Sequence, residues 1–212
     1  GFVPPQIMQW DRSNLEGTVI TKDIKAMAQR YVPQMKEEGA DLVVAIAHSG
    51  ASTDDYDPAR RAENSSWYLA DVKGIDAILM GHAHLVFPGS AFADTPGVDL
   101  ERGTIKGVPA VMPGFWGDHL GIVDFMLNYD PDTDAWSVAD AKAIARPIFA
   151  DGKIFFTNDQ GETVVVQADV PKYQELAHNP LNEPVVASSA IGSGHIYMRT
   201  LRHLLAIDGS AK

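Results

Sequence analysis

The sequence predicts a layered α/β fold. Three observations carry that prediction. Residues 21–80 run helix–strand–helix–strand with short joints. Two apolar runs lack polar alternation, which suits strands buried on both faces. The composition, 45% apolar with 21% charged, suffices for a packed core. Taken in order, Thr21 to Glu38 is an expected amphipathic helix: Ile24, Met27, Ala28, Tyr31, Val32 and Met35 fall near i, i+3, i+4, i+7 spacing. Thr21 is the expected N-cap and Gly39 the expected stop, while Pro33 is expected to kink or split the helix. Asp41 to Ala47 reads as the first buried strand, Ala62 to Val72 as a second helix, and Ile75 to Met80 as a second buried strand.

Beyond Pro88 the character changes. Val108 to Met112, Gly121 to Asn128 and Trp136 to Ala145 are expected short strands of an antiparallel part. Lys153 to Phe156 and Thr163 to Gln167 flank a polar hairpin or loop, and a final helix is expected from about Tyr197 to Ala206. A domain boundary is expected between residues 147 and 185. Asp130-Pro131-Asp132-Thr133-Asp134 alternates like a calcium loop, but Ala135 stands where such a loop needs Gly, so a polar hairpin turn is expected.

Composition excludes several function classes. A formal charge of −11 argues against binding a nucleic-acid polymer through its phosphates, which takes a basic patch. No apolar stretch reaches the roughly 18 residues that span a bilayer, so no membrane partner is expected. The chain opens Gly1-Phe2-Val3-Pro4-Pro5 with no signal-peptide pattern, and a processed or cut start is expected. With no cysteine, any metal site must use His, Asp, Asn or Glu.

Three histidines stand at the two predicted strand ends. His48-Ser49-Gly50 follows the first apolar run, and Gly81-His82-Ala83-His84 follows the second. Neutral imidazole is a common metal ligand, and strand ends in α/β folds gather ligand sites. On extended backbone, i and i+2 side chains point the same way, so His82 and His84 suit one metal or two adjacent metals. The alternative makes His48 a hydrogen-bonded core residue and His82 and His84 ordinary loop residues. His178, His195 and His203 read as surface or packing residues, and Asp54-Asp55-Tyr56-Asp57 as a solvated loop.

Ala47-His48-Ser49-Gly50 followed by Gly81-His82-Ala83-His84 resembles the last two metal-binding motifs of the calcineurin-like metallophosphoesterases. The stretches Phe2 to Asp11, Ala62-Glu63-Asn64-Ser65, Val72 to Ile78 and Val111 to Gly121 are similar to one branch of its 5′-nucleotidase family. That branch acts on 2′,3′-cyclic nucleotides and 3′-nucleotides. The resemblance runs from residue 1 to about Pro147. It implies a four-layer α/β/β/α sandwich, with residues 1–147 as the C-terminal half of the catalytic domain. Residues 148–212 would be a linker and the possible start of a C-terminal nucleotidase domain.

The resemblance also implies a site with two divalent metal ions (Mn, Zn, Fe or Co), one held by His48 and His82 and the other by His84. Nucleotides are the implied substrates, and the periplasm or cell wall the implied location. Asp118 and His119 lie in a segment that the family keeps near the site. They read either as structural hydrogen-bonding residues or as partners of a metal-bound imidazole at His48 or His82.

The family's Asp-x-His and Gly-Asn-His motifs are absent, and Gly117-Asp118 follows the histidine motifs instead of preceding them. The bridging carboxylate and the residue that protonates the leaving group are therefore not in this sequence. The expectation is a chain with no catalytic residue of its own, inactive alone, that needs the N-terminal half of the domain. The parent could instead prefer 5′-nucleotides or nucleotide sugars, or the chain could be a non-catalytic fragment. Loss of half a sandwich would expose apolar strand residues around Val43 and Ile78 and favour self-association.

Overall fold

Short helices Ile7–Trp10 (α1) and Arg12–Leu15 (α2) precede the main helix Ile24–Glu37 (α3). Ile24, Ala28 and Val32 of α3, spaced four apart, form its buried face. Its N-cap is Asp23, whose carboxylate accepts the Ala26 N–H at 2.8 Å. The expected cap Thr21 lies two residues too early: its hydroxyl accepts from the Arg61 guanidinium and donates to the Pro5 carbonyl at 3.4 Å. Asp23 also accepts the Tyr56 hydroxyl at 2.6 Å, and burial followed by that bond pushes the Tyr56 phenol well above its ordinary range. Pro33 does not split the helix, which continues to Glu37.

The structure, a computed structural model, describes residues 1–115, 119–147, 149–185, 189–192 and 194–208. Strands Val44–Ala47 (β1), Ala77–Met80 (β2), Val86–Phe87 (β3), Val98–Asp99 (β4), Thr104–Ile105 (β5) and Val108–Pro113 (β6) form one mixed sheet, with helix Ser66–Leu69 (α4) between β1 and β2. The sheet order is β1-β2-β6-β5-β4, with β3 beside β6. β1 and β2 pair in parallel from Val44 with Ala77 to Ala47 with Met80, so His48 and Gly81 leave the sheet at the same end. The expected second helix, Ala62 to Val72, is a single turn. Residues 62–65 are instead held in loop form by side-chain hydrogen bonds to the His48 loop.

β1 corrects another expectation. Ala45 and Ala47 are buried with Val43 against α3 and α4, whereas Val44 is 41% and Ile46 59% exposed. The strand buries one face. The exposed apolar residues are therefore Val44 and Ile46, while Val43 and Ile78 are buried. Leu69, Ile78, Phe87, Ile105 and Met112 are wholly buried and anchor the core. The α/β expectation holds.

Strands His119–Asp130 (β7) and Ala135–Pro147 (β8) form a two-stranded ribbon. At its turn the Asp130 carboxylate accepts from the Asp132 N–H and the Thr133 hydroxyl, both at 2.9 Å, as a hairpin turn requires.

Packing divides the chain into two units: Gly1–Met112 with Gly121–Ala145, and Pro113–Leu120 with Arg146–Lys212. The second holds an antiparallel sheet of Phe149–Ala150 (β9), Lys153–Thr157 (β10), Glu162–Gln167 (β11) and Glu175–Pro180 (β12). It also holds a three-stranded sheet of Ala190–Gly192 (β13), His195–Arg199 (β14) and Leu204–Asp208 (β15). The final helix expected over residues 197–206 is thus a hairpin. The Thr200 hydroxyl accepts the His203 N–H at 2.8 Å, and Met198 pairs with Leu205 across the turn. Among the described residues no helix is long and apolar enough to cross a membrane.

Candidate metal centre

Parallel pairing of β1 and β2 brings their two following loops together. Ser49, fully buried, clasps them to the segment before α4. Its hydroxyl donates to the Glu63 carbonyl and accepts the Ser65 N–H, each at 2.7 Å. Its own carbonyl accepts the Ser66 hydroxyl at 2.7 Å. Gly50 donates its N–H to the Asn64 side-chain oxygen at 3.1 Å. A Cβ at position 50 would stand 2.6 Å from the Ala83 Cβ and 2.7 Å from that oxygen, so only glycine lets the two histidine loops approach this closely.

The clasp places two of the three candidate histidines side by side. His48 Nε2 and His82 Nδ1 are 3.3 Å apart, with ring centroids 5.1 Å apart and tilted by 55°. The other ring nitrogen of His82, Nε2, lies 2.5 Å from Glu63 Oε1. Trp10 stacks on the imidazole face of His82 at 5.2 Å and 28°. The His82 side chain is 20% exposed, so the ring is held on most sides yet still open to solvent.

The pair suits a divalent cation. With a metal–nitrogen distance of about 2.0–2.1 Å, two nitrogens 3.3 Å apart subtend about 107° at an ion between them, close to a tetrahedral angle. His82 and His84 both adopt left-handed backbone, with φ of 70° and 56°. That conformation costs an L-residue about 1–2 kcal/mol, and such strain clusters at functional sites.

His84 stands exposed on the same turn and does not join the pair in one cluster. Among the described residues no group of three or more His, Asp or Glu gathers around a common point. Glu63 is no third ligand, because it occupies the ring nitrogen on the far side of His82 from His48. His119 opens β7, and Asp118 lies outside the described residues. Sequence reasoning assigned no role to Glu63 or Trp10. Each nonetheless sits in a stretch that resembles the family, and that was the available signal.

Known proteins are similar to this chain. No family model matches the chain. It is 51% identical over 185 residues to the 2′,3′-cyclic-nucleotide 2′-phosphodiesterase/3′-nucleotidase of Salmonella typhimurium, covering 86% of this chain and 28% of that protein. The protein of the same name from Yersinia enterocolitica is 57% identical over 149 residues, 70% of this chain and 22% of its own length. The crystal structure of the calcineurin-like phosphoesterase YfkN from Bacillus subtilis matches with a TM-score of 0.64 and 44% identity, over 69% of this chain and 43% of that one. The chain thus spans about a quarter of the length of these two curated relatives.

Proposed function

We propose that this chain belongs to the calcineurin-like phosphoesterases and supplies part of a metal-dependent catalytic domain whose parent protein hydrolyses phosphoester bonds of nucleotides. The substrate class follows from relatives named for 2′,3′-cyclic nucleotides and 3′-nucleotides. Residues 1–147 are the catalytic-domain portion, and residues 148–212 are a linker and the start of a C-terminal nucleotidase domain. The parent works in the periplasm or cell wall, a placement that rests on the family resemblance.

The observation that carries this reading is the His48–His82 pair, with 3.3 Å between its facing nitrogens. In the proposed site these two residues would hold one divalent ion and His84 would contribute to a second. Bound there, divalent ions would supply polarisation of a phosphoryl oxygen, a more nucleophilic water, and an offset to charge on the attacking and leaving oxygens. Imidazole ligands favour Mn, Fe, Co or Zn over Mg and Ca. The part this chain plays is to present and orient imidazoles.

The chain alone is therefore expected not to turn over bis(p-nitrophenyl) phosphate with added Mn²⁺. Joined to a segment bearing Asp-x-His, Gly-Asp and Gly-Asn-His motifs, it should hydrolyse 2′,3′-cyclic and 3′-nucleotides. Turnover by the chain alone at the rate of a complete relative would overturn the division of the site. A joined protein that cleaves only 5′-nucleotides or nucleotide sugars would overturn the substrate assignment.

A further inference from the structure

We propose that Glu63 and Trp10 are positioning residues: together they fix the ring of His82 in the one orientation and proton arrangement that leaves Nδ1 free to share a cation with His48. The inference rests on the reading that this pair holds a metal ion.

A carboxylate can only accept, so the 2.5 Å contact makes His82 Nε2 the protonated nitrogen and donor. In the neutral ring the other nitrogen, Nδ1, then carries the lone pair, and it faces His48 Nε2 at 3.3 Å. Without a cation, His48 Nε2–H donates into that lone pair. With one, the His48 proton moves to Nδ1 of the same ring, while His82 keeps its arrangement. One histidine is preset and the other adjusts.

Glu63 is itself fixed. Its carbonyl accepts from Ser49, the residue after His48, and the next residue, Asn64, accepts from Gly50. The carboxylate that orders one ligand is thus tied through the backbone to the loop that carries the other. Trp10 supplies the remaining constraint, covering the ring face and limiting rotation about the Cβ–Cγ bond. Its helix is anchored to the loop before Glu63, because the Gln6 amide donates to the Arg61 carbonyl at 3.0 Å. Carboxylate partners of this kind raise ligand basicity and fix ring orientation, and their loss costs about 10–100-fold in metal affinity.

The test uses the metal-free chain with ¹⁵N-labelled histidine, then Zn²⁺ added alone. A low-field, slowly exchanging His82 Nε2–H resonance is expected in the wild type and in Glu63→Gln, whose amide oxygen still accepts, but not in Glu63→Ala. Zn²⁺ affinity should fall about 10–100-fold in Glu63→Ala, be largely rescued in Glu63→Gln, and fall several-fold in Trp10→Ala but not Trp10→Phe. His48→Ala should lose Zn²⁺ while keeping the resonance. Retention of both resonance and affinity in Glu63→Ala would overturn the assignment of Glu63, and unchanged affinity in Trp10→Ala that of Trp10. If the wild type shows the resonance yet binds no Zn²⁺, the shared-ion reading fails while the hold of Glu63 on the ring stands.

Discussion

The two units treat polar groups in opposite ways. In the first, buried polarity converges on one corner: Ser49, Ser65 and Ser66 are all buried and hydrogen-bonded around the loop that presents His48. In the second, the main concavity is apolar. A cavity of about 220 Å³ is lined by residues such as Phe155, Val165, Leu181, Ile196 and Met198, and its buried Thr157 and Thr163 hydroxyls are satisfied by each other at 2.9 Å. Those two hydroxyls face each other within an apolar wall, whereas the facing His48 and His82 nitrogens belong to imidazoles, whose lone pairs can go to a cation in place of their mutual contact. On the proposed reading, metal chemistry in this chain belongs to the first unit because imidazole nitrogens converge there.

The contrast can be broken most forcefully in the core beneath that corner. Leu69→Ala removes a wholly buried side chain and should lower unfolding free energy by about 2–5 kcal/mol. Leu204→Ala in β15, where the residue is 73% exposed, should stay within about 0.5 kcal/mol. Urea denaturation of the two variants compares them directly.

Ser49→Ala should cost about 1–3 kcal/mol by leaving the Ser65 N–H and the Glu63 carbonyl without their buried partner. It should also weaken Zn²⁺ binding, because the Ser49 bond to the Glu63 carbonyl is one of the ties that hold Glu63 to the His48 loop. Gly50→Ala forces apart the two histidine loops and should cost a similar amount, about 1–3 kcal/mol by thermal melting.

A smaller effect sits at Asp71. Burial pushes its carboxyl up, but Lys106 at 2.7 Å and Lys25 at 3.2 Å outweigh this and hold it below the ordinary aspartate range. A depressed folded-state value means the charged form is favoured by folding. The stability it adds is present above the usual aspartate range and lost as pH falls through the lowered value. Asp71→Asn should flatten that acid limb of a stability–pH curve, modestly, because the side chain is 37% exposed.

How much of this was legible in sequence differs between the units for a physical reason. The strand ends at His48 and Gly81 were readable because unbroken apolar runs stop abruptly there. The one-sided burial of β1 was not, since Val44 and Ile46 are as apolar as the residues facing the core. Asp23 was missed as a cap because Thr21 has the same capping chemistry two residues earlier. In the tail, Tyr197, Met198, Leu201, Leu204 and Leu205 mimic helical spacing. The antiparallel pairing of β14 with β15 and the hydrogen bonds of Thr200 with His203, a choice made by turn chemistry, make it a hairpin instead. Glu63 and Trp10 were invisible as site residues because their role depends on a tertiary approach to His82 that no local pattern encodes.

The central claim is that the first unit carries half of a metal site built on His48 and His82. Calorimetric titration of Zn²⁺ into the wild-type chain, His48→Ala and His82→Ala tests it most directly. The wild type should bind an ion that both variants lose. Equal binding by all three proteins would contradict it.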